Sequence, residues 1–94
     1  MKLKYQLKKG DIVISKAGHD AGRIYVVIEV DAVNTDFVYL ADGKYRDLKN
    51  KKLKRDKHLR YLATINLPDK PKITDIKLAI KNYNKVRSLQ DDIK

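Results

Sequence analysis

The side chains that could do chemistry here are suited to holding phosphates rather than to breaking bonds. From Lys44 to Arg60, nine basic residues (Lys44, Arg46, Lys49, Lys51, Lys52, Lys54, Arg55, Lys57 and Arg60) stand against two acidic ones, Asp47 and Asp56, so this segment supplies +7 of the net +10. A smaller group, Lys16, His19 and Arg23, is spaced around two glycines four residues apart, Gly18 and Gly22. Cations at this density attract a polyanion and release its counterions. High charge also keeps a small protein dispersed, and it is the clustering that favours the polyanion over simple solubility. A solvated loop is the plainer reading of Lys49 to Lys57, and a turn that merely joins strands is the plainer reading of Gly18 and Gly22.

No catalytic constellation competes with this reading. The carboxylates are eleven Asp and a single Glu, mostly at turn or strand-end positions, and no spacing forces two of them together. There is no P-loop, nucleophile elbow or HExxH. His19 and His58 have no cysteine partners and no i, i+4 relation, so a metal site is not expected. We expect a non-enzyme without cofactor or small-molecule substrate.

These residues need elements to position them. Asp11 to Ser15 and Ile24 to Val30 are short runs rich in Val and Ile, which suit a half-buried pleated surface. The connection between them holds Gly18 and Gly22, and glycine accepts positive φ at no steric cost, so two sharp changes of direction are expected there. In the second run Glu29 needs water, which assigns Ile24, Val26, Ile28 and Val30 to the core and Tyr25 and Val27 to the outside. Phe37 to Ala41 is a third strand with Val38 and Leu40 inward. Asp42-Gly43 then suits a tight turn, with Tyr45 to Leu48 returning as the second arm of a hairpin. Leu59 to Ile65 closes the body, placing Leu59, Tyr61, Ala63 and Ile65 on one face. Met1 to Lys9 alternates Leu3, Tyr5 and Leu7 with Lys2, Lys4 and Lys8, as an edge strand or a frayed tail.

Pro68 and Pro71 mark residues 66–73 as an extended connector. Beyond it Thr74 can cap a helix, with Asp75 at its positive end and Ile73 and Leu78 as a staple. Ile76, Ala79, Ile80, Tyr83, Val86 or Arg87, and Leu89 or Gln90 follow helical spacing, so a helix is expected from Asp75 to about Leu89. Five or six strands in a short stretch favour a small barrel, because closure removes exposed edges.

At 94 residues with 43% apolar content the chain makes one domain, divided into a β-body over 1–65, the connector, and the helix over 74–94. No cysteine is present, which is compatible with the cytoplasm. No apolar run approaches the roughly 18 residues of a membrane span, so a cytoplasmic, monomeric protein is expected.

Gly10-Asp11-x-Val13, then Gly18 and Gly22 and an alternating Val/Ile strand, resembles the KOW motif of ribosomal and transcription-elongation proteins. The likeness is to ribosomal-protein-like bacterial KOW proteins related to large-subunit proteins of archaea and eukaryotes. It is carried by Ser15-Lys16-Ala17-Gly18-His19-Asp20-Ala21-Gly22-Arg23, by Ala41-Asp42-Gly43-Lys44 with Arg46, and by the lysine-rich run ending at His58-Leu59. Ala21 departs from the pattern, which there tends to be basic. The resemblance implies an SH3-like barrel that binds RNA, with ribosomal RNA or the large subunit as partner. Lys16, His19, Arg23, Lys44, Arg46, Lys49, Lys51, Lys52, Lys54, Arg55, Lys57 and His58 would form the contact surface, with Tyr45 or His58 able to stack on a base. Six to eight neutralised phosphates would give a salt slope of roughly −4 to −7. The alternative is a protein-interaction barrel for an acidic partner, using the apolar stripe Ile76, Ile80 and Tyr83.

Overall fold

The computed structural model describes residues 5–92, with side chains described to Ser88. Among these residues five strands, β1 (Asp11–Ser15), β2 (Ile24–Val30), β3 (Phe37–Ala41), β4 (Lys52–Arg55) and β5 (Leu59–Thr64), are followed by one α-helix, α1 (Ile73–Asp92). The strands form one antiparallel sheet in the order β4-β3-β2-β1-β5. β4 and β5 lie at opposite ends of that order, yet only the 3-10 turn Asp56–His58 separates them in the chain. The sheet must therefore curl strongly. Backbone bonds from Asp56 N–H to the Asp36 carbonyl (2.7 Å) and from Lys16 N–H to the His58 carbonyl (2.8 Å) tie the turn to both sides of the curl. Among the described residues β4 and β5 do not pair, so of the expected small barrel the coarser part is seen, a curled five-stranded antiparallel sheet followed by a helix.

Both faces of this sheet are covered. The concave face holds Leu7, Val13, Tyr25, Val27, Val38, Leu40 and Leu59. On the convex face Ile12, Val26 and Ala41 pack against Ile76 and Ala79 of α1. This corrects the expected division of β2: Tyr25, Val26 and Val27 are all fully buried, because the helix covers the face opposite the curl. The pairing passes from Val27↔Leu40 to Glu29↔Tyr39, an irregularity that makes Ile28 the extra residue. A bulge reverses the alternation, and Val30 returns to the concave cluster. A second bulge, between Ile12↔Ala63 and Val13↔Tyr61, splits the face expected for β5. Leu59 joins the concave core, while Ala63 and Ile65 join the helix side.

Two more expectations are corrected by local hydrogen bonding. Residues 45–48 are not the returning strand, because the Asp42 carboxylate accepts from the amides of Lys44, Tyr45 and Arg46 at 2.8–2.9 Å. Asp47 likewise accepts from Lys49 and Asn50. These donors are spent within the loop, and the partner of β3 is the lysine-rich segment Lys52–Arg55. The helix begins at Ile73, before Thr74, with the Asp75 carboxylate accepting from the Lys72 amide at 2.8 Å. Leu78, expected as half of the staple, is 57% exposed.

The lysine alternation of residues 1–9 lies partly on 1–4, outside the described residues, as does the side chain of Leu89 or Gln90. Residues 5–8 form no strand, and Leu7 alone of them is buried. Tyr5 instead donates to Asp11 (3.1 Å), a fully buried carboxylate that also accepts from the Lys8 amide (2.9 Å) and the Thr64 hydroxyl (2.9 Å). Gly10, just before it, has φ +96° and lies so close to β5 that an added Cβ would sit 2.5 Å from the Ile65 carbonyl oxygen. Gly10→Ala is therefore expected to cost about 1–3 kcal/mol from the positive-φ backbone, with the clash against Ile65 adding to it. Urea denaturation measures it, and a midpoint equal to the parent's would contradict the contact.

Candidate functional site

In an antiparallel sheet the connection after β1 and the connection after β3 lie at the same end of the strands. Here these are residues 16–23 and 42–51, the two basic segments before β4. In the first, Gly18 and Gly22 adopt φ +84° and +90°, the positive values expected of a loop that turns twice. The Gly22 amide donates to the Ser15 carbonyl (2.8 Å) and the Arg23 amide to the Asp20 carbonyl (2.9 Å). Lys16, Gly18, His19, Ala21 and Gly22 are exposed.

Asp20 pins this loop from beneath. It is 4% exposed, and its carboxylate accepts from Ser15 Oγ (2.9 Å) and Tyr25 OH (2.9 Å) while pairing with Lys54 Nζ (2.7 Å) and Lys52 Nζ (3.1 Å). Burial by itself would push its pKa up, but the bonds from Lys54, Ser15, Tyr25 and Lys52 outweigh it and hold the carboxyl well below the usual range. Burial and the Asp20 acceptor push the Tyr25 phenol up to about 12. Lys54 also donates to the Ala17 carbonyl (2.9 Å). Asp20 was not singled out from sequence. The available signal was a single acid set between two glycines in a basic loop.

The densest basic run is thus divided by strand alternation. Lys52 and Lys54 pair with Leu40 and Val38, whose side chains are buried in the concave core, and reach Asp20 from that side. Arg55, across from Phe37, lies over its ring at 6.0 Å. Lys51 sits 4.7 Å from the Tyr39 ring centroid and 3.5 Å from Glu29. Lys57 is exposed and lies with Tyr5 and Tyr61. The expected single cationic surface is in this respect dispersed.

The two loops do meet. The Arg23 guanidinium lies 3.8 Å from the centroid of the Tyr45 ring, and Lys44 Nζ lies 5.1 Å from it. Arg46 donates to Asn50 (3.2 Å) within the same loop, and Lys49 is exposed beside it. His58, half-buried, adjoins Lys16 through their backbone bond. The structure therefore brings together Lys16 with His58, and Arg23 with Lys44 and Tyr45, while Lys51, at the end of the second loop, turns to Tyr39 and Glu29, Arg55 lies over Phe37, and Lys57 lies with Tyr5 and Tyr61.

Among the described residues no cluster of His, Asp or Glu is grouped to hold a metal ion, and no helix is long and apolar enough to cross a membrane. No protein-family model matches the chain, and no curated protein matches it.

Proposed function

We propose that this chain is a cytoplasmic RNA-binding protein that acts on ribosomal RNA or the ribosome in translation, on an SH3-like barrel of the KOW type. The observation that carries the reading is the meeting of two basic loops at one end of the sheet through Arg23 and Tyr45. Lys16, His19, Arg23, Lys44, Arg46 and Lys49 would supply the phosphate contacts, which set register and affinity without reading sequence. Lys52 and Lys54 would act indirectly, by holding the first loop in place through Asp20.

A second reading, an interaction module for an acidic protein, draws on the apolar groove between β5 and α1, where Leu62, Ile65, Leu67, Leu78 and Val86 line a space of about 630 Å³. Sedimentation of cell lysate through sucrose separates the two. Under the first reading the chain travels with large ribosomal subunits at low salt and is released at high salt or by ribonuclease. A chain that stays at the top of the gradient at low salt and purifies free of nucleic acid would contradict it.

A further inference from the structure

We infer that Tyr45 is a stacking platform for an unpaired base, so that the site takes single-stranded or looped-out nucleotides in preference to a continuous duplex. The inference rests on the RNA-binding reading and names which form of nucleic acid that site accepts. Tyr45 is 52% exposed, so its ring is not needed to fill either core. Its backbone is nevertheless held firmly. The Asp42 carboxylate accepts from the Tyr45 amide (2.8 Å) and from those of Lys44 (2.9 Å) and Arg46 (2.8 Å), while the amides of Asp42 and Gly43 both donate to the Arg46 carbonyl at 2.9 Å. An exposed aromatic residue fixed in this way loses little conformational freedom on binding, which favours affinity.

Arg23 supplies the other half of the platform. Its guanidinium lies against the ring at 3.8 Å and comes from the first loop, so one side of the ring is backed by a cation while the residue stays half exposed. Lys44 Nζ also lies over this ring, at 5.1 Å, but it is the tip of an exposed, flexible side chain. A base stacking on the face away from Arg23 would therefore complete a guanidinium–phenol–base stack while the Lys44 ammonium moved aside to the flanking phosphate. A base paired within a duplex has its faces occupied by its neighbours and cannot make this contact. His58, the other aromatic candidate, is half-buried and close to Lys16, with no ring or cation stacked on it among the described contacts.

The test compares the parent chain with Tyr45→Ala and Tyr45→Phe for binding to oligouridylate, whose bases are unstacked, and to an RNA duplex of equal charge. Tyr45→Ala is expected to weaken oligouridylate binding about tenfold, the scale of one base–aromatic stack, and to leave the duplex unaffected. Tyr45→Phe should bind both as the parent does. In the unmodified chain, oligouridylate should shift the Tyr45 ring protons upfield, a readout independent of any effect of substitution on folding. Equal weakening toward both RNAs, or unmoved ring protons on saturation, would overturn the platform while leaving RNA binding intact. Oligouridylate failing to bind while the duplex binds would also overturn the platform alone. Polyglutamate binding as tightly as oligouridylate, with the same loss in Tyr45→Ala, would overturn both, as would failure of both RNAs to bind.

Discussion

Replacing Asp20 by alanine is expected to destabilise the chain by about 3–5 kcal/mol, the cost of removing one partner from a buried ion pair. The substitution strands Lys54, whose side chain is 10% exposed, and Lys52, at 27%, beside a core they approach only because Asp20 is there. It also leaves Ser15 Oγ and Tyr25 OH without this acceptor. For a domain of this size the loss corresponds to a fall in Tm of roughly 15–25 °C. Thermal and urea unfolding followed by circular dichroism measure it. In an Asp20→Ala background, Lys54→Met should cost little more, since the charge it removes is by then uncompensated. A stability unchanged by Asp20→Ala would show that the network is incidental.

The same network sets an acid dependence. Asp20 has its folded pKa depressed, so its contribution is complete above the unfolded value of about 3.9 and is lost as pH falls below that toward the folded pKa. The gap between the parent and Asp20→Ala should therefore be constant from neutrality down to about pH 4 and narrow below it. A gap that closed near neutral pH would mean that some other group carries the effect.

Reversing Lys16, Lys44 and Lys49 to Glu together is expected to weaken RNA binding on the order of a hundredfold or more at moderate salt, while leaving unfolding nearly unchanged. All three side chains are exposed, and none holds a core element in place. Reversing Lys52 and Lys54 should do something different. It sets two glutamates against a buried carboxylate, so the fold is lost along with any binding. Fluorescence anisotropy with a structured ribosomal RNA fragment, paired with thermal unfolding of each variant, separates the outcomes. If the exposed triple variant binds as the parent does, the loops are not the contact surface.

Local patterns carried much of the fold. The runs of Val and Ile delimited β1 and β2, and the apolar run FVYLA delimited β3, at their observed bounds, and Val38 and Leu40 are buried as expected. β4 was hidden because KLKR lacks strand-forming residues, and lysines on an edge strand are a common guard against unwanted pairing. The faces of β2 were hidden for a different reason. Its burial on both sides depends on α1 docking from some fifty residues away, and nothing in IYVVIEV announces that cover. For the site, the glycine positions were legible as turns. Asp20 was not, because two of its partners lie 32 and 34 positions later in the chain, and their approach depends on the curl of the sheet. The meeting of Arg23 with Tyr45 has the same origin, two loops brought to one end by the antiparallel topology.

The curl also revises the strength expected of the interaction. With Lys52 and Lys54 committed to Asp20, about four to six cations remain for phosphates, and log affinity should fall with log salt at a slope of about −3 to −5. The measurement that bears most directly on the account is this slope, taken for the parent chain on a large-subunit ribosomal RNA fragment and repeated with the Lys16, Lys44 and Lys49 triple reversal. The account predicts a slope in that range for the parent, shallower by about 2 to 3 in the variant. An affinity that hardly changes with salt, or a slope the reversal leaves untouched, would contradict it.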